Sequence, residues 1–280
     1  MNAVPSPAPG ATQAGWRASL RLTLRAANGR TVLAERAHEG PLVVQRPFYP
    51  EGPVCHLYLV HPPGGVAGGD HLSLQLQLDP GAQGVLTTPA ATKIYRSFGA
   101  RIARVEQHLQ VNDATLEWLP QETIVFRGAR ARLSTQVQLS GRARFIGWEV
   151  LCLGRPASGE RFDAGEVYQD FGINLAGRPL WVDRLRLRGD DPAMSAAWGL
   201  GALPVLGTML ACPADQSLLQ CARAACAEPE TTCTLVDGVL LVRQRGTSAE
   251  AVRNELQRIW HALRPAFTGL APHSPRIWAT

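Results

Sequence analysis

Two glycine pairs and two prolines form a loop that ends in a carboxylate, at residues 61–70 (HPPGGVAGGD). In a phosphate-cradling loop the last glycine is followed by Lys and then Ser or Thr, but here Asp70 and His71 follow it. A dinucleotide-binding loop needs Gly-x-Gly-x-x-Gly before a helix, whereas the residues after Asp70 alternate as in a strand. The loop is therefore predicted to place Asp70 at the start of a strand and not to bind a nucleotide.

No sequence pattern identifies a catalytic centre. No serine stands in Gly-x-Ser-x-Gly, and the 7 histidines show neither His-Glu-x-x-His nor His-x-His spacing. The 6 cysteines contain no Cys-x-x-Cys pair and match no zinc spacing, and because no export signal is seen they are predicted to be reduced, half-buried thiols. The sequence therefore predicts neither an enzyme nor a tight metal site.

Two carboxylates stand where the strand pattern demands apolar side chains. Glu149 interrupts a strand that is apolar on both faces, and Asp183 shares its face with leucines. A buried carboxylate is costly unless it is paired, hydrated or bound to a cation. One interpretation is a salt bridge, for instance with Arg127 or Arg155. The other is a polar, hydrated interior that includes Asp70, over which a metal ion passes without being trapped.

Lys93 is the only lysine among 28 cationic side chains, all the others being arginine. This bias indicates a GC-rich genome. Because lysine is a compact point charge and arginine a planar fork, Lys93 is either required as lysine or there by chance, and both interpretations remain open. The net charge of +5 permits an acidic protein partner. Nucleic-acid binding is not predicted, because aromatic residues interleaved with arginine are lacking.

The elements that must position these residues are mostly strands. From Trp16 to Arg188 period-2 segments follow one another, separated by turn residues, and no helix-period segment of useful length interrupts them. Many short strands at this spacing predict a sandwich, a barrel or a solenoid, and periodicity does not choose among them. No run of about eighteen apolar residues exists, so no membrane span is predicted.

The sequence predicts three regions. Residues 1–15 form a disordered tail without a signal peptide, residues 16–190 a β-strand domain, and residues 191–280 a smaller mixed lobe packed on it. The lobe carries two amphipathic helices, at about 215–227 and 248–264.

Specific signals mark the ends of these helices. Asp215 is the predicted N-cap of the first, and Pro265 is predicted to follow the end of the second. A small lobe leaves apolar helix surface to cover, so Trp260 and Leu256 on the second helix are predicted to contact a protein partner.

Long motifs in a fixed order resemble the urease accessory protein family UreD, also called UreH. They are HPPGGVAGGD (61–70), LTTPAATKIYRS (86–97), LEWLPQETIVF (116–126), VQRPFYPEG (44–52), FIGWEVLCLGRP (145–156) and PVLGTML (204–210). The resemblance extends from about Arg17 to Leu263. It implies an irregular right-handed helical stack of β-strands, a β-solenoid-like fold.

The resemblance also implies a function. UreD-like proteins are scaffolds that bind apo-urease together with the partners UreF and UreG, the latter a GTPase, and assist nickel insertion. The family is linked to a water-filled passage, which would carry Ni²⁺ in transit with no tightly bound cofactor. Asp70, Lys93 and Glu149 fall in the shared motifs and are expected to line such a conduit. Asp183 is added from strand alternation alone.

The expected location is the cytoplasm, and no membrane or nucleic-acid partner is expected. Two alternative functions remain: a basic nucleic-acid-binding module, which lacks the aromatic residues noted above, and a β-solenoid enzyme that acts on carbohydrate. Such an enzyme needs paired acids and exposed aromatic rings. Glu117 beside Trp118, together with Glu122, is the sequence feature that favours it.

Overall fold

The computed structural model describes residues 15–279, so the predicted tail lies outside the described residues except for Gly15. The described part is built mainly of strands, with two α-helices near its end. The strands are β1 (Arg17–Ala27), β2 (Arg30–Glu39), β3 (Val43–Val44), β4 (Cys55–Val60), β5 (His71–Leu78), β6 (Gln83–Thr87), β7 (Thr92–Ile94), β8 (Ala103–Asn112), β9 (Thr115–Trp118), β10 (Thr123–Val125), β11 (Arg130–Ser140), β12 (Arg144–Arg155), β13 (Glu160–Arg161), β14 (Glu166–Leu175), β15 (Arg178–Arg188), β16 (Val205–Cys212), β17 (Thr231–Val236) and β18 (Val239–Gly246). The helices are α1 (Gln216–Ala225) and α2 (Ala249–Thr268).

The strands form two large sheets. The first sheet has the order β15-β14-β11-β8-β5-β1-β2, and the second has the order β17-β18-β16-β12-β9-β6-β4-β3 with β7, β10 and β13 attached. β5, β8, β11 and β14 pair in parallel in the first sheet, as β4, β6, β9 and β12 do in the second. Because the chain alternates between the sheets, it winds as coils that each add a strand to both. This arrangement confirms the predicted β-solenoid-like stack.

Strand alternation produces the core between the sheets. In β5 the leucines at even positions are buried, while the polar residues between them face outward. The coils stack these side chains in register, so that Leu76, Leu109, Val137 and Ile173 form one buried row across four strands. Burial of each such side chain contributes about 1.5–3 kcal/mol relative to exposure.

The prediction of an almost purely β region from Trp16 to Arg188 is confirmed, since only a 3₁₀ turn at Pro156–Ser158 interrupts it. Beyond it, β16 pairs with β12, and β18 pairs with β16. The second sheet thus continues across the predicted boundary at residue 190. The division into two domains remains a prediction.

The ends of the helices differ in part from their predicted positions. Asp215 caps α1 as predicted, because its side chain accepts a hydrogen bond of 2.9 Å from the backbone N of Leu218. The prediction that α2 ends before Pro265 is wrong, since α2 continues to Thr268. A proline inside a helix costs about 3 kcal/mol. Burial of Phe267 and the ion pairs of Arg264 offset that cost by holding the last turn against the second sheet.

Candidate functional site

A cavity of about 350 Å³ lies between the two sheets. One end reaches the surface at two loops, residues 61–65 and 88–92, where exposed main chain and proline line it. Apolar side chains of the first sheet, including Leu74, Val105 and Leu133, form the middle of its wall. The glycine–proline loop singled out in the sequence is therefore one side of the cavity mouth.

The inner end of the cavity is polar. Glu149 of β12 accepts hydrogen bonds from Thr135 Oγ1 and from Gln169 Nε2, which extend from the facing sheet. Thr135 Oγ1 also lies 2.9 Å from Gln107 Oε1. The Thr135 hydroxyl has one proton for two acceptors. When Glu149 is ionised, the Thr135 proton reaches only one of these two acceptors at a time; when Glu149 is protonated, Thr135 can accept from the carboxyl group and donate to Gln107.

The surroundings of Glu149 favour its protonated form. Burial, followed by the negative charge of Asp183, raises the pKa of Glu149 to about 7, against the opposing hydrogen bonds from Thr135 and Gln169. The side chain is enclosed by protein but keeps contact with the cavity. The inner end therefore holds a carboxyl group whose charge changes near neutral pH.

A polar row continues beyond Glu149 toward the far edge of both sheets. Thr208 stands opposite Glu149 on the neighbouring strand, and Arg243 stands opposite Thr208. Arg243 Nη2 donates a hydrogen bond of 2.5 Å to Asp183 Oδ2 of the facing sheet. A second cavity of about 710 Å³ lies along β14 and β15, and Gln169 borders both cavities.

Of the two interpretations of the interior acids, the salt bridge applies to Asp183 and the hydrated interior to Glu149. Asp183 is salt-bridged, though with Arg243 and not with the arginines suggested by the sequence. Among residues 15–279 Glu149 has no salt bridge. Arg127 and Arg155 pair instead with surface acids. Glu149 alone is the unpaired carboxyl at the cavity end.

Asp70 holds the loop and does not line the cavity. Its carboxylate accepts hydrogen bonds of 2.8 Å from the backbone N of Trp16 and of 2.8 Å from the backbone N of Ala67. Its charge still acts on the cavity, because it partly offsets the effect of burial, which lowers the pKa of His61 at the mouth. The structure therefore gives Asp70 a positioning role behind the mouth.

Lys93 is exposed on the outside of the short strand β7 and does not line the cavity. The expectation that Lys93 belongs to the interior path does not fit this placement. Strand alternation explains the exposure of Lys93, because Lys93 and the buried Ile94 face opposite sides of β7.

Trp260 and Leu256 are fully buried, so neither side chain can touch a partner as predicted. They pack against the second sheet, where Trp260 stacks edge-on to Trp148. The apolar stripe of α2 is used inside the protein. A Trp260→Ala variant would therefore report on folding and not on partner binding.

Sequence reasoning missed a buried ion network around Arg264. Its guanidinium bonds Glu117 at 2.9–3.1 Å and Glu51 at 2.7 Å, and Trp260 Nε1 donates to Glu117 at 2.6 Å. Burial opposes the charge of Arg264, but the two carboxylates outweigh it and raise its pKa. Arg264 lies on the apolar stripe of α2, four residues after Trp260, and this position was the available signal.

The same network removes the basis of the carbohydrate-enzyme alternative. Glu117 and Trp118 are 2% and 3% exposed, and Glu122 is paired with Arg253. A glycosidase needs two acids that reach its substrate. Glu117 is instead committed to Arg264, so the structure contradicts that proposal.

Metal-ligating side chains are dispersed. Within residues 15–279 no three His, Cys, Asp or Glu side chains are grouped closely enough to hold a metal ion. Over the same residues no helix has both the length and the apolar character that crossing a membrane requires.

The fold and the site define a class, a solenoid-like scaffold that encloses a cavity with one polar end. A family model described as the UreD urease accessory protein matches residues 16–279. The urease accessory protein UreD of Pseudomonas putida strain W619 is 46% identical over 271 residues, covering 95% of each chain. The UreD protein of Alkalilimnicola ehrlichii is 43% identical over 282 aligned positions, covering 99% of this chain and 96% of its own. The UreD protein of Azoarcus sp. strain BH72 is 45% identical over 274 residues, covering 96% of each. The chain belongs to the UreD family of urease accessory proteins, which confirms the resemblance of its motifs.

Proposed function

We propose that this protein is a cytoplasmic scaffold, not a catalyst, that binds apo-urease together with UreF-like and UreG-like proteins. In that assembly it assists the insertion of nickel into the urease active site. Ni²⁺ is its cargo and not a resident cofactor. Family membership supports the accessory role, and the inter-sheet cavity supports a passage for the ion.

The main support for a nickel passage is the cavity, which runs from the loops at 61–65 and 88–92 to Glu149. Its polar lining offers carboxyl, hydroxyl and amide oxygens, with no thiolate and only one imidazole, that of His61. Such ligands bind a borderline divalent ion weakly, so the ion can leave again. Glu149 takes up charge near neutral pH, so an arriving cation can displace its proton.

The experiment is maturation of urease by co-expression with Glu149 variants. Glu149→Gln keeps the size and a hydrogen-bonding group but removes the charge, and Glu149→Ala removes both. The matched control is Glu39→Gln, at an exposed position on β2. Nickel per urease active site is the readout, together with co-purification of the partners and thermal stability of each variant.

We expect both Glu149 variants to fold and to bind partners while nickel per active site falls severalfold. A unit charge pair 4 Å apart is worth roughly 4 kcal/mol at an effective dielectric constant near 20, so loss of the charge weakens the hold on the ion. The control should give fully loaded urease. A stable Glu149 variant that also gives fully loaded urease would refute the passage role of this residue.

A further inference from the structure

A basic and aromatic surface lies beside the mouth of the inter-sheet cavity. This surface, here named the basic rim, consists of the exposed residues Lys93, Tyr95, Arg96, Phe98 and Arg101. Phe98 is 80% exposed. The segment 93–104 contains four cations and no acid, although the whole chain has 23 acids. The rim is therefore a local concentration of positive charge that also exposes an apolar ring.

Backbone hydrogen bonds fix the rim to the mouth. Val66 N donates to Lys93 O at 2.7 Å, and Tyr95 N donates to Val66 O at 2.9 Å. The Tyr95 ring lies against Gly65, where a Cβ atom would come within 2.3 Å of the ring. Gly65 also lines the cavity. A molecule seated on the basic rim would thus cover the entrance.

The charges of the rim are not balanced within the chain. Over residues 15–279 Lys93, Arg96 and Arg101 make no ion pair. Of the acids on neighbouring loops, Asp163 pairs with an arginine outside the rim, whereas Asp70 accepts only backbone hydrogen bonds, keeps its charge and makes no ion pair with the rim. These three cations are therefore free to pair with carboxylates from outside.

We infer that the basic rim docks an acidic protein surface, which covers the cavity mouth. This inference rests on the proposed function and names the chemistry of one of its partners. The uncovered cations of the rim would repel a divalent cation that approaches the entrance. Carboxylates of a partner would neutralise these cations and would offer oxygen ligands to the ion at the same place.

Other occupants fit the rim less well. A second copy of this chain that presented the same rim would bring like charges together and would be repelled. Single-stranded nucleic acid needs several free ring faces for stacking. Here Tyr95 packs on Gly65 and lies edge-on to Phe126, which leaves Phe98 as the one free ring of the rim. Exposed arginine beside a single aromatic anchor is typical of protein interfaces.

The test compares two charge reversals of equal size. Arg96→Glu with Arg101→Glu changes the rim, and Arg36→Glu with Arg178→Glu changes exposed cations on other strands. The probes are purified apo-urease and the purified UreF-like protein, each titrated against the full chain at low and high salt. Phe98→Ala is a third variant that leaves the charge unchanged. Circular dichroism melting checks that every variant is folded.

We expect the wild-type chain to bind at least one probe, and the rim reversal to weaken that complex by about 10–100-fold at low salt and by less at high salt. Phe98→Ala should weaken the same complex, while the control reversal should change it by less than about threefold. Equal affinities of the rim and control reversals would overturn the inference and leave the proposed function intact. Absence of wild-type binding to both probes would overturn both proposals.

Two further probes address other partners. They are a labelled single-stranded RNA and vesicles that contain phosphatidylserine. If the rim reversal abolishes binding to either while both protein complexes keep their affinity, the rim serves a different ligand class and the inference is wrong.

Discussion

Glu149 keeps a proton near neutral pH because two effects act against its charge. Burial removes water from the carboxylate, and the carboxylate of Asp183 adds repulsion. The hydrogen bonds from Thr135 and Gln169 favour the charged form but do not outweigh burial. The residue thus costs stability when it ionises, which is expected of a group retained for a role other than folding.

This cost can be measured as a pH dependence. The pKa of Glu149 rises from 4.5 to about 7 on folding, so the folded state keeps a proton that the unfolded state loses. Its contribution to stability is full below pH about 4.5 and is lost as the pH rises to about 7. Relative to Glu149→Gln, the wild-type free energy of unfolding should therefore fall by about 3 kcal/mol across this window. Urea titrations of both proteins at each end of the window measure it, and a constant difference would contradict the raised pKa.

The alternation of side chains along the strands correctly predicted which acids lie inside the protein. Glu149 and Asp183 were predicted to be interior because their strands are otherwise apolar, and both face the space between the sheets. Asp70 lies in a loop and Lys93 in the short strand β7, and the shared motifs did not reveal where their side chains point. The partner of Asp183 comes from a distant strand, and no local pattern contains it.

Helix α2 is held by a buried polar network as well as by its apolar stripe. Burial would raise the pKa of Glu51, yet hydrogen bonds from His56 and Arg264 and the charge of Arg264 lower it to about 2. Glu117 is bound to the same guanidinium. Through Arg264 the helix is tied to β9 and to the loop before β4.

Arg264→Ala should leave two carboxylates without their cation and cost ~3–5 kcal/mol of stability at neutral pH. Arg253→Ala, which removes a more exposed pair on the same helix, should cost about 1 kcal/mol or less. The contribution of Glu51 is present above pH about 4.5 and is lost as the pH falls to about 2, so the deficit of Arg264→Ala should narrow in acid. Chemical denaturation at pH 7 and pH 3 measures this. Equal deficits for the two variants would mean that the network does not hold the helix.

The helix itself was predictable, but its end was not. The apolar stripe and the N-terminal caps are local signals, and they located both helices within a few residues. Pro265 is an equally local stop signal, yet tertiary contacts of Arg264 and Phe267 override it. Those contacts join residues that are far apart in the chain, so they produce no periodic pattern from which they could be predicted.

In the molecule as a whole, the solenoid places two layers of strands around the inter-sheet cavity. Period-2 segments predicted the strands, and the family motifs, not the periodicity, selected the stacking. The resemblance predicted a water-filled passage but not its position or dimensions, because these depend on the side chains that both sheets place around it. The whole fold thus sets the width of the proposed passage.

Narrowing the mouth of the cavity tests the proposed passage without changing any charge. Ala91 lines the mouth within the loop at 88–92, so Ala91→Phe should fill the entrance and lower nickel per urease active site severalfold while partner binding persists. Ala37→Phe adds the same ring at an exposed position of β2 and should leave nickel loading unchanged. Because a ring in the mouth occupies space and does not overpack the core, the loss of stability should stay below about 1.5 kcal/mol. Metal analysis of purified urease after co-expression gives the result, with thermal melting of both variants. If a folded Ala91→Phe protein loads urease fully, nickel does not enter through this mouth.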